Sequence, residues 1–329
     1  MFNWTDPTQP IRLGLLLNQR ARRMRDLGSR QALLSASLGL PVASPQHLDE
    51  LPSCLQRLFE DEGVNVLAVA GGDGTLHYAV NACASLCHRA GVSLPLIAPL
   101  SAGTLNIVAR TARVREQPEA TFSRIRQRFE GRRLESLPVR EVQLLEVLQP
   151  DHQRRYGFVF GSETLYHAIE LYVRFGAGYR GLSRFLFELS RGAIANSNLW
   201  RAEGWKMGPH PGAVQIDAEQ WDSYLAAVAT TVDLSLAVFA IRAIAVPEDA
   251  TGFFAKVLTD ASAREVIAQI PSLLRNRPSS GVIDRPNSQR MRLVGPYTLD
   301  GELFGEPDQR PRSVVEVGLA DARVGLLVP

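Results

Sequence analysis

Three short segments carry residue types suited to phosphate chemistry. The first is Gly71-Gly72-Asp73-Gly74-Thr75. Glycines let a backbone approach a ligand closely and adopt positive φ. Backbone N–H groups where a strand passes into a helix favour a phosphate. Asp73 would repel bare phosphate, so it makes sense holding Mg²⁺, directly or through water, with the metal bridging phosphate oxygens. Thr75 can donate its hydroxyl to a phosphate. The loop is neither G-x-x-x-x-G-K-[ST] nor G-x-G-x-x-G, and a lone Gly-Gly-Asp-Gly turn is common; its place after an apolar run is what raises it.

The second segment, 99–106, reads Pro-Leu-Ser-Ala-Gly-Thr-Leu-Asn. Gly103 and Thr104 repeat the Gly-Thr chemistry, and Asn106 adds both donors and acceptors. The third is Asp300-Gly301-Glu302. Asp-Gly is an ordinary β-turn pair, yet here it leaves two carboxylates near one loop, one suited to take a proton from an attacking hydroxyl.

The elements that must position these loops are legible from periodicity. Residues 11–17 and 64–70 read as fully buried strands of a parallel sheet, and 95–99 as a third. Residues 48–62 have helical spacing, 76–86 continue the first loop as a helix, and Ile107 opens another. Strand, glycine loop and helix in repetition indicate an α/β domain. Residues 19–25, with Arg20, Arg22, Arg23 and Arg25, read either as a solvated helix start or as a basic lip over a nucleotide site. After about residue 134, strands at 139–148, 155–160, 213–216, 224–231, 235–246, 252–258 and 291–294 lack regular intervening helices. That indicates an antiparallel β-sandwich or barrel-like domain, interrupted by one helical insertion at 163–194. A further helix is expected at 263–275, before a Pro/Ser/Gly loop.

The bulk numbers exclude some classes. A net charge of +2 does not support nucleic-acid binding driven by charge. The three cysteines, Cys54, Cys83 and Cys87, are too few for a disulfide framework and fit a reducing compartment; Cys83 and Cys87 read as buried structural thiols. The N-terminus does not read as a signal peptide, and no run reaches the ~18 apolar residues of a membrane span. The cytoplasm is the expected setting. Residues 172–200 interleave Arg174, Arg180, Arg184 and Arg191 with Tyr172, Phe175, Tyr179, Phe185, Phe187 and Trp200. This is either a packed helix pair with its aromatics inward or a peripheral docking surface for anionic lipid.

Asn18 after the first strand, GGDGT at 71–75, P-x-x-x-G-T-x-N-x-x-A-R at 99–110 and D-G-E at 300–302 occur together in this order. With them the chain resembles the bacterial diacylglycerol kinase family of lipid kinases, related to sphingosine and ceramide kinases. The resemblance implies an α/β nucleotide-binding domain of the NAD kinase/diacylglycerol kinase type over 1–135, rejoined by a tail at about 310–329. It implies a β-sandwich lipid-substrate domain over 136–309, with the nucleotide lying between the two. It further implies ATP and Mg²⁺ as cofactors, and a lipid substrate met peripherally at the inner membrane; no nucleic-acid partner is expected, and a homodimer is left open. Asn18, Ser44, Gly71, Gly72, Asp73, Gly74, Thr75, Thr104 and Asn106 would line the ATP site, with Asp73 as the metal residue. Asp300 and Glu302 would supply the general base and its support, Glu302 being preferred for the proton.

The chain departs from the family pattern in places. It reads Asn18-Gln19-Arg20-Ala21-Arg22 where Asn-Pro-x-Ser-Gly is usual, has His77 and Tyr78 where Asn-Glu is common, and has Ile107 where an acid often stands. Two other functions therefore stand beside a lipid kinase: a non-catalytic nucleotide or lipid sensor, and an NAD kinase-like enzyme with a soluble substrate.

Overall fold

The apolar runs become strands because nothing along them tolerates water. In the computed structural model, β1 (Leu13–Leu17) and β3 (Val66–Gly71) are buried at every position. The structure describes residues 6–149, 153–176, 179–208, 210–236, 241–247, 249–259, 265, 281–305 and 313–329. The expected helix at 263–275 lies outside the described residues, apart from residue 265. The chain divides into two compact units: Met1–Leu144 with Asp321–Pro329, and Leu145–Ala320.

In the first unit, the strand order is β2 (Val42–Ala43), β1, β3, β4 (Leu96–Ser101), all parallel. Near the C-terminus, Leu326 pairs in parallel with Ile97 of β4. The helices are α1 (Leu27–Ala36), α2 (Leu51–Gln56), α3 (Asp73–Ala90), α4 (Ile107–Thr111) and α5 (Pro118–Phe129). One core cluster joins Leu15, Leu17, Ala68 and Ala70 of the sheet to Met24, Leu33, Phe122 and Phe129. Residues 19–25 form turns, correcting the expected helix start. The helix begins only at Leu27, because Asp26 accepts a hydrogen bond from Ser29 N and caps it.

The second unit is a β-sandwich. Its strands, following β5 (Val139–Leu148), are β6 (Arg154–Gly157), β7 (Val159–Ser162), β8 (His210–Ile216), β9 (Glu219–Tyr224), β10 (Ala226–Thr230), β11 (Leu234–Leu236), β12 (Ile241–Ile244), β13 (Phe253–Leu258), β14 (Val282–Ser288), β15 (Arg290–Val294), β16 (Tyr297–Leu299), β17 (Glu302–Phe304) and β18 (Val314–Leu327). One sheet runs β14-β13-β10-β7-β16-β17. In the other, β15 pairs antiparallel with β8 and with the first residues of β18, and β8 with β9. Phe160, Ala227, Val257 and Tyr297 from the first sheet share a core with Val214, Met291 and Val315 from the second. That shared core is what makes two sheets a sandwich.

Six strands escape the periodicity: β2, β9, β14, β16, β17 and β18. Among them, β9 and β14 end their sheets, and an edge strand tolerates the charges of β9 and the Pro286 of β14. The strand expected at 155–160 is in fact two: β6 pairs with β5, while β7 pairs with β10 and β16.

The helical insertion is also split, into α6 (Thr164–Arg174), α7 (Tyr179–Ala195) and α8 (Asn198–Glu203). Leu171 and Phe185 centre a satellite core with Tyr172, Phe175, Leu182, Leu186, Leu189 and Trp200. An ionic network ties its ends. Glu170 contacts His167 Nδ1 at 3.2 Å and Lys206 Nζ at 2.9 Å, while Glu203 contacts Lys206 at 3.1 Å and Arg174 at 2.7 Å.

Candidate functional site

Parallel register places three loops at one sheet edge. Leu17 lies opposite Ala70, and Gly71 opposite Ser101, so the residues after β1, β3 and β4 emerge side by side. This carboxyl edge is where open α/β sheets bind ligands. Backbone bonds lock the loops together: Asn18 N donates to Ala70 O at 3.1 Å, and Ala102 N to Gly71 O at 3.1 Å. Arg23 N donates to Ala102 O at 3.0 Å, so the arginine-bearing turns of 19–25 rest on the second loop.

The two glycine loops touch through bare backbone. A Cβ on Gly103 would fall 2.4 Å from Gly72 Cα, and a Cβ on Gly72 3.1 Å from Gly103 Cα. Glycine is demanded here by close approach, since Gly72 itself is extended (φ −99°, ψ −172°). Gly72 is the N-cap of α3 and contributes no side-chain cap. The first turn of that 18-residue helix is thus left to offer its N–H groups to an anion.

The side chains fix the loops further. Asn18 Nδ2 donates to Thr75 Oγ1 at 2.8 Å, and Asn18 Oδ1 accepts from Arg20 N at 2.9 Å. Asp73, in the first turn of α3, accepts from Val108 N at 3.2 Å through Oδ1. Asn106 takes a left-handed backbone (φ 52°, ψ 48°). Its amide closes on its own loop: Oδ1 accepts from Gly103 N at 2.8 Å, and Nδ2 donates to Gly103 O at 3.2 Å. Ser44 Oγ donates to Leu17 O at 3.1 Å and accepts from Gln19 Nε2 at 2.9 Å. Gln19 was not singled out from the sequence; its place directly after Asn18 was the available signal. Thr104 stands half-buried in the same loop. The first-unit candidates are therefore brought together, several of them bonded to one another.

Asp300 and Glu302 belong to the second unit. Asp300 (φ 54°) and Gly301 (φ 89°) form the two-residue turn of the β16–β17 hairpin, with Leu299 paired to Glu302. Two successive positive φ values define the turn whose twist suits a hairpin. Asp300 Oδ1 accepts from Phe158 N and Val159 N, both at 2.9 Å, and Asp300 N donates to Val159 O at 2.8 Å. The carboxylate thus pins the point where the chain passes from β6 to β7. Gly157 is required beside it, because a Cβ there would lie 2.6 Å from Asp300 Oδ2. Glu302 is half-buried on β17.

Cys83 and Cys87 are buried in α3. Burial pushes the Cys83 thiol well up, and the neighbouring Cys87 adds to it. Among the described residues no three His, Cys, Asp or Glu side chains are grouped to hold a metal, and no helix is long and apolar enough to cross a membrane.

The chain consists of an α/β unit carrying two glycine loops and a β-sandwich unit. Residues 19–133 match the family model of the diacylglycerol kinase catalytic domain, the family that the motifs resemble. Comparison with curated proteins finds no match. Among solved structures, the chain is similar to a protein of Bacillus anthracis strain Sterne provisionally described as a diacylglycerol kinase, with 15% identity, TM-score 0.66 and 97% of each chain covered. A diacylglycerol kinase structure from the same organism gives 13% identity, TM-score 0.60 and 96% of each chain covered. At these identities the likeness shows the fold, an α/β part followed by an antiparallel β part.

Proposed function

We propose that the chain is an ATP-dependent lipid kinase that transfers the γ-phosphate to a lipid hydroxyl of diacylglycerol-like or sphingoid-like type. The observation that carries this is the close approach of Gly72 and Gly103 at the uncapped start of α3. It brings two glycine loops together at a helix N-terminus, where phosphates are stabilised by backbone dipoles. The residues present suit a nucleotide with Mg²⁺. Magnesium is ordinarily held by one or two carboxylates plus substrate phosphates and water, and Asp73 supplies one carboxylate at the helix start. When bound, the metal neutralises charge on the β- and γ-phosphates.

In this reading Asn18 positions Thr75, and Thr75 donates to phosphate. The loops of 71–75 and 103–106 hold the nucleotide, and Ser44, set by Gln19, borders it. The lipid hydroxyl oxygen bonds to the γ-phosphorus, the bond to the bridging oxygen breaks, and ADP leaves with that electron pair. The hydroxyl proton passes to Glu302. Asp300 serves as its support, because Asp300 Oδ1 already accepts two backbone hydrogen bonds and has little capacity left. Positioning rather than covalent chemistry carries the rate.

The test is transfer of radiolabelled phosphate from ATP to a panel of total lipid extracts, with the product identified by mass. Asp73→Asn is expected to lower kcat/KM by at least about 100-fold; full activity in that variant refutes the mechanism. A sensor without turnover is the second reading, favoured by the way Gln19, Ser44, Asn18 and Thr75 bond to one another. Tight ATP binding with no labelled lipid in any extract would select it. ATP-dependent labelling of NAD without lipid would select the soluble-substrate kinase.

A further inference from the structure

Helix α7 has two unlike faces. At about 100° per residue, Leu182, Phe185, Leu186 and Leu189 fall on one side, where they join the satellite core of the insertion. On the opposite side Arg180, Arg184, Phe187 and Arg191 fall within about 60° of arc, a stripe about 16 Å long. Arg180 and Arg184 are exposed, Phe187 is 65% exposed, and the Arg191 side chain is 55% exposed. Glu188 is the one acid in the sequence of the helix, and it pairs with Arg191 at 2.9 Å. The stripe therefore keeps a surplus of positive charge around a bare aromatic ring. On α6, Val173 is also 65% exposed.

We infer that this face of α7 docks on an anionic bilayer, with the arginines on headgroup phosphates and Phe187 inserted at the acyl boundary. A single exposed aromatic is unremarkable on a protein surface. The arginines one and two turns before it and one turn after it make the difference. Arginine stems lie along apolar surface while their heads reach anionic oxygens, and an aromatic ring between them sits at headgroup level. Charge complementarity selects an anionic surface over a neutral one. A folded protein partner fits poorly, because so narrow a stripe offers too little apolar area for a stable interface. The inference does not depend on the kinase reading, because docking requires neither nucleotide nor turnover.

The test is co-sedimentation of the full chain, without nucleotide, with vesicles of phosphatidylglycerol or of phosphatidylcholine at low salt. Binding is expected to the anionic vesicles, weakening as salt rises. Each arginine removed is expected to lower partitioning about fivefold, so Arg180→Ala with Arg184→Ala lowers it about 25-fold. Phe187→Ala is expected to lower it about fivefold. Arg89→Ala, at the end of α3, controls for loss of charge elsewhere and should change little. The substituted side chains are exposed, so melting midpoints should hold, and phosphate transfer to detergent-dispersed lipid supplies a second readout that should not move. Equal binding to both vesicle types, no binding to either, or wild-type binding by the arginine double variant overturns the inference. Loss of phosphate transfer with vesicle binding intact would count against the kinase reading alone.

Discussion

Adding one methyl group to either glycine of the paired loops should have sharply unequal effects. Neither Gly72 nor Gly103 has a left-handed backbone, so alanine brings no φ penalty and the comparison is steric. At Gly103 the new Cβ would lie 2.4 Å from Gly72 Cα and 2.8 Å from Asn106 Oδ1. Both neighbours are fixed, one by being backbone and the other by accepting from Gly103 N. The loops must part, and overpacking of this kind costs about 1–3 kcal/mol. At Gly72 the nearest atom is 3.1 Å away, which a small shift relieves. Replacing glycine by alanine also stabilises by about 0.4–1 kcal/mol through the unfolded chain, so Gly72→Ala should be near neutral. The same gain offsets part of the overpacking at Gly103, so with about 2–4 °C of midpoint per kcal/mol for a unit of this size, Gly103→Ala should melt about 3–5 °C lower and Gly72→Ala within about 2 °C. Thermal unfolding measures this, and fluorescent ATP-analogue binding reports whether the parted loops still hold phosphate. Equal midpoints for the two variants, or a Gly103→Ala protein that melts and binds like wild type, would refute the reasoning.

The hairpin acid can be dissected the same way. Asp300→Ala strips the acceptor from Phe158 N and Val159 N and should cost about 2–4 kcal/mol, whereas Asp300→Asn keeps an oxygen acceptor and a residue tolerant of positive φ. Urea unfolding distinguishes them. If Asp300 is support and Glu302 the base, Glu302→Gln lowers kcat by about 10²–10⁴-fold and Asp300→Asn by less; the reverse order rejects that assignment. Lys206→Met should destabilise the helical insertion by about 1–2 kcal/mol at neutral pH. Its pH window follows from the shifts. Burial opposes the Glu170 charge, but the bonds to Lys206 and His167 outweigh it and hold Glu170 below its ordinary 4.5; Glu203 is lowered chiefly by Arg174 and then Lys206. Burial likewise opposes the Lys206 ammonium, but its two glutamates outweigh it and raise it above 10.5. The stabilisation is therefore complete between those ordinary values. It is lost as pH falls through the lowered carboxylate values or rises through the raised lysine value. Hydrogen exchange across α6–α8, compared between wild type and variant at pH 7 and pH 3, checks it, and a difference that grows on acidification would contradict the sign.

Some of the design was open to reading in the chain and some was not, for physical reasons. Residues 13–17 and 66–71 announce buried parallel strands because a strand covered on both faces has no polar position to spare. The glycine loops announce themselves because only glycine lets two backbones meet as Gly72 and Gly103 do. Edge strands β9 and β14 stayed hidden because the edge relaxes the pattern that marks a strand. The break between β6 and β7 was invisible because its cause, Asp300 accepting from Phe158 N and Val159 N, lies more than a hundred residues downstream.

For the candidate site, the sequence supplied the residue types and their order: Asn18, GGDGT, Gly103-Thr104, Asn106 and the Asp300–Glu302 turn. Tertiary structure decided their duties. Strand register, which no local window contains, set Asn18 on Thr75 and Asp73 on Val108 N. Bonds to Gly103, only three residues away, turned Asn106 inward to shape its own loop. Helical packing sorted the aromatics of 172–200, taking Tyr172, Phe175, Phe185 and Trp200 into a core and leaving Phe187 outside among the arginines. Composition can list side chains able to do chemistry, but which atoms remain to do it depends on the hydrogen bonds and burial that only the folded chain imposes.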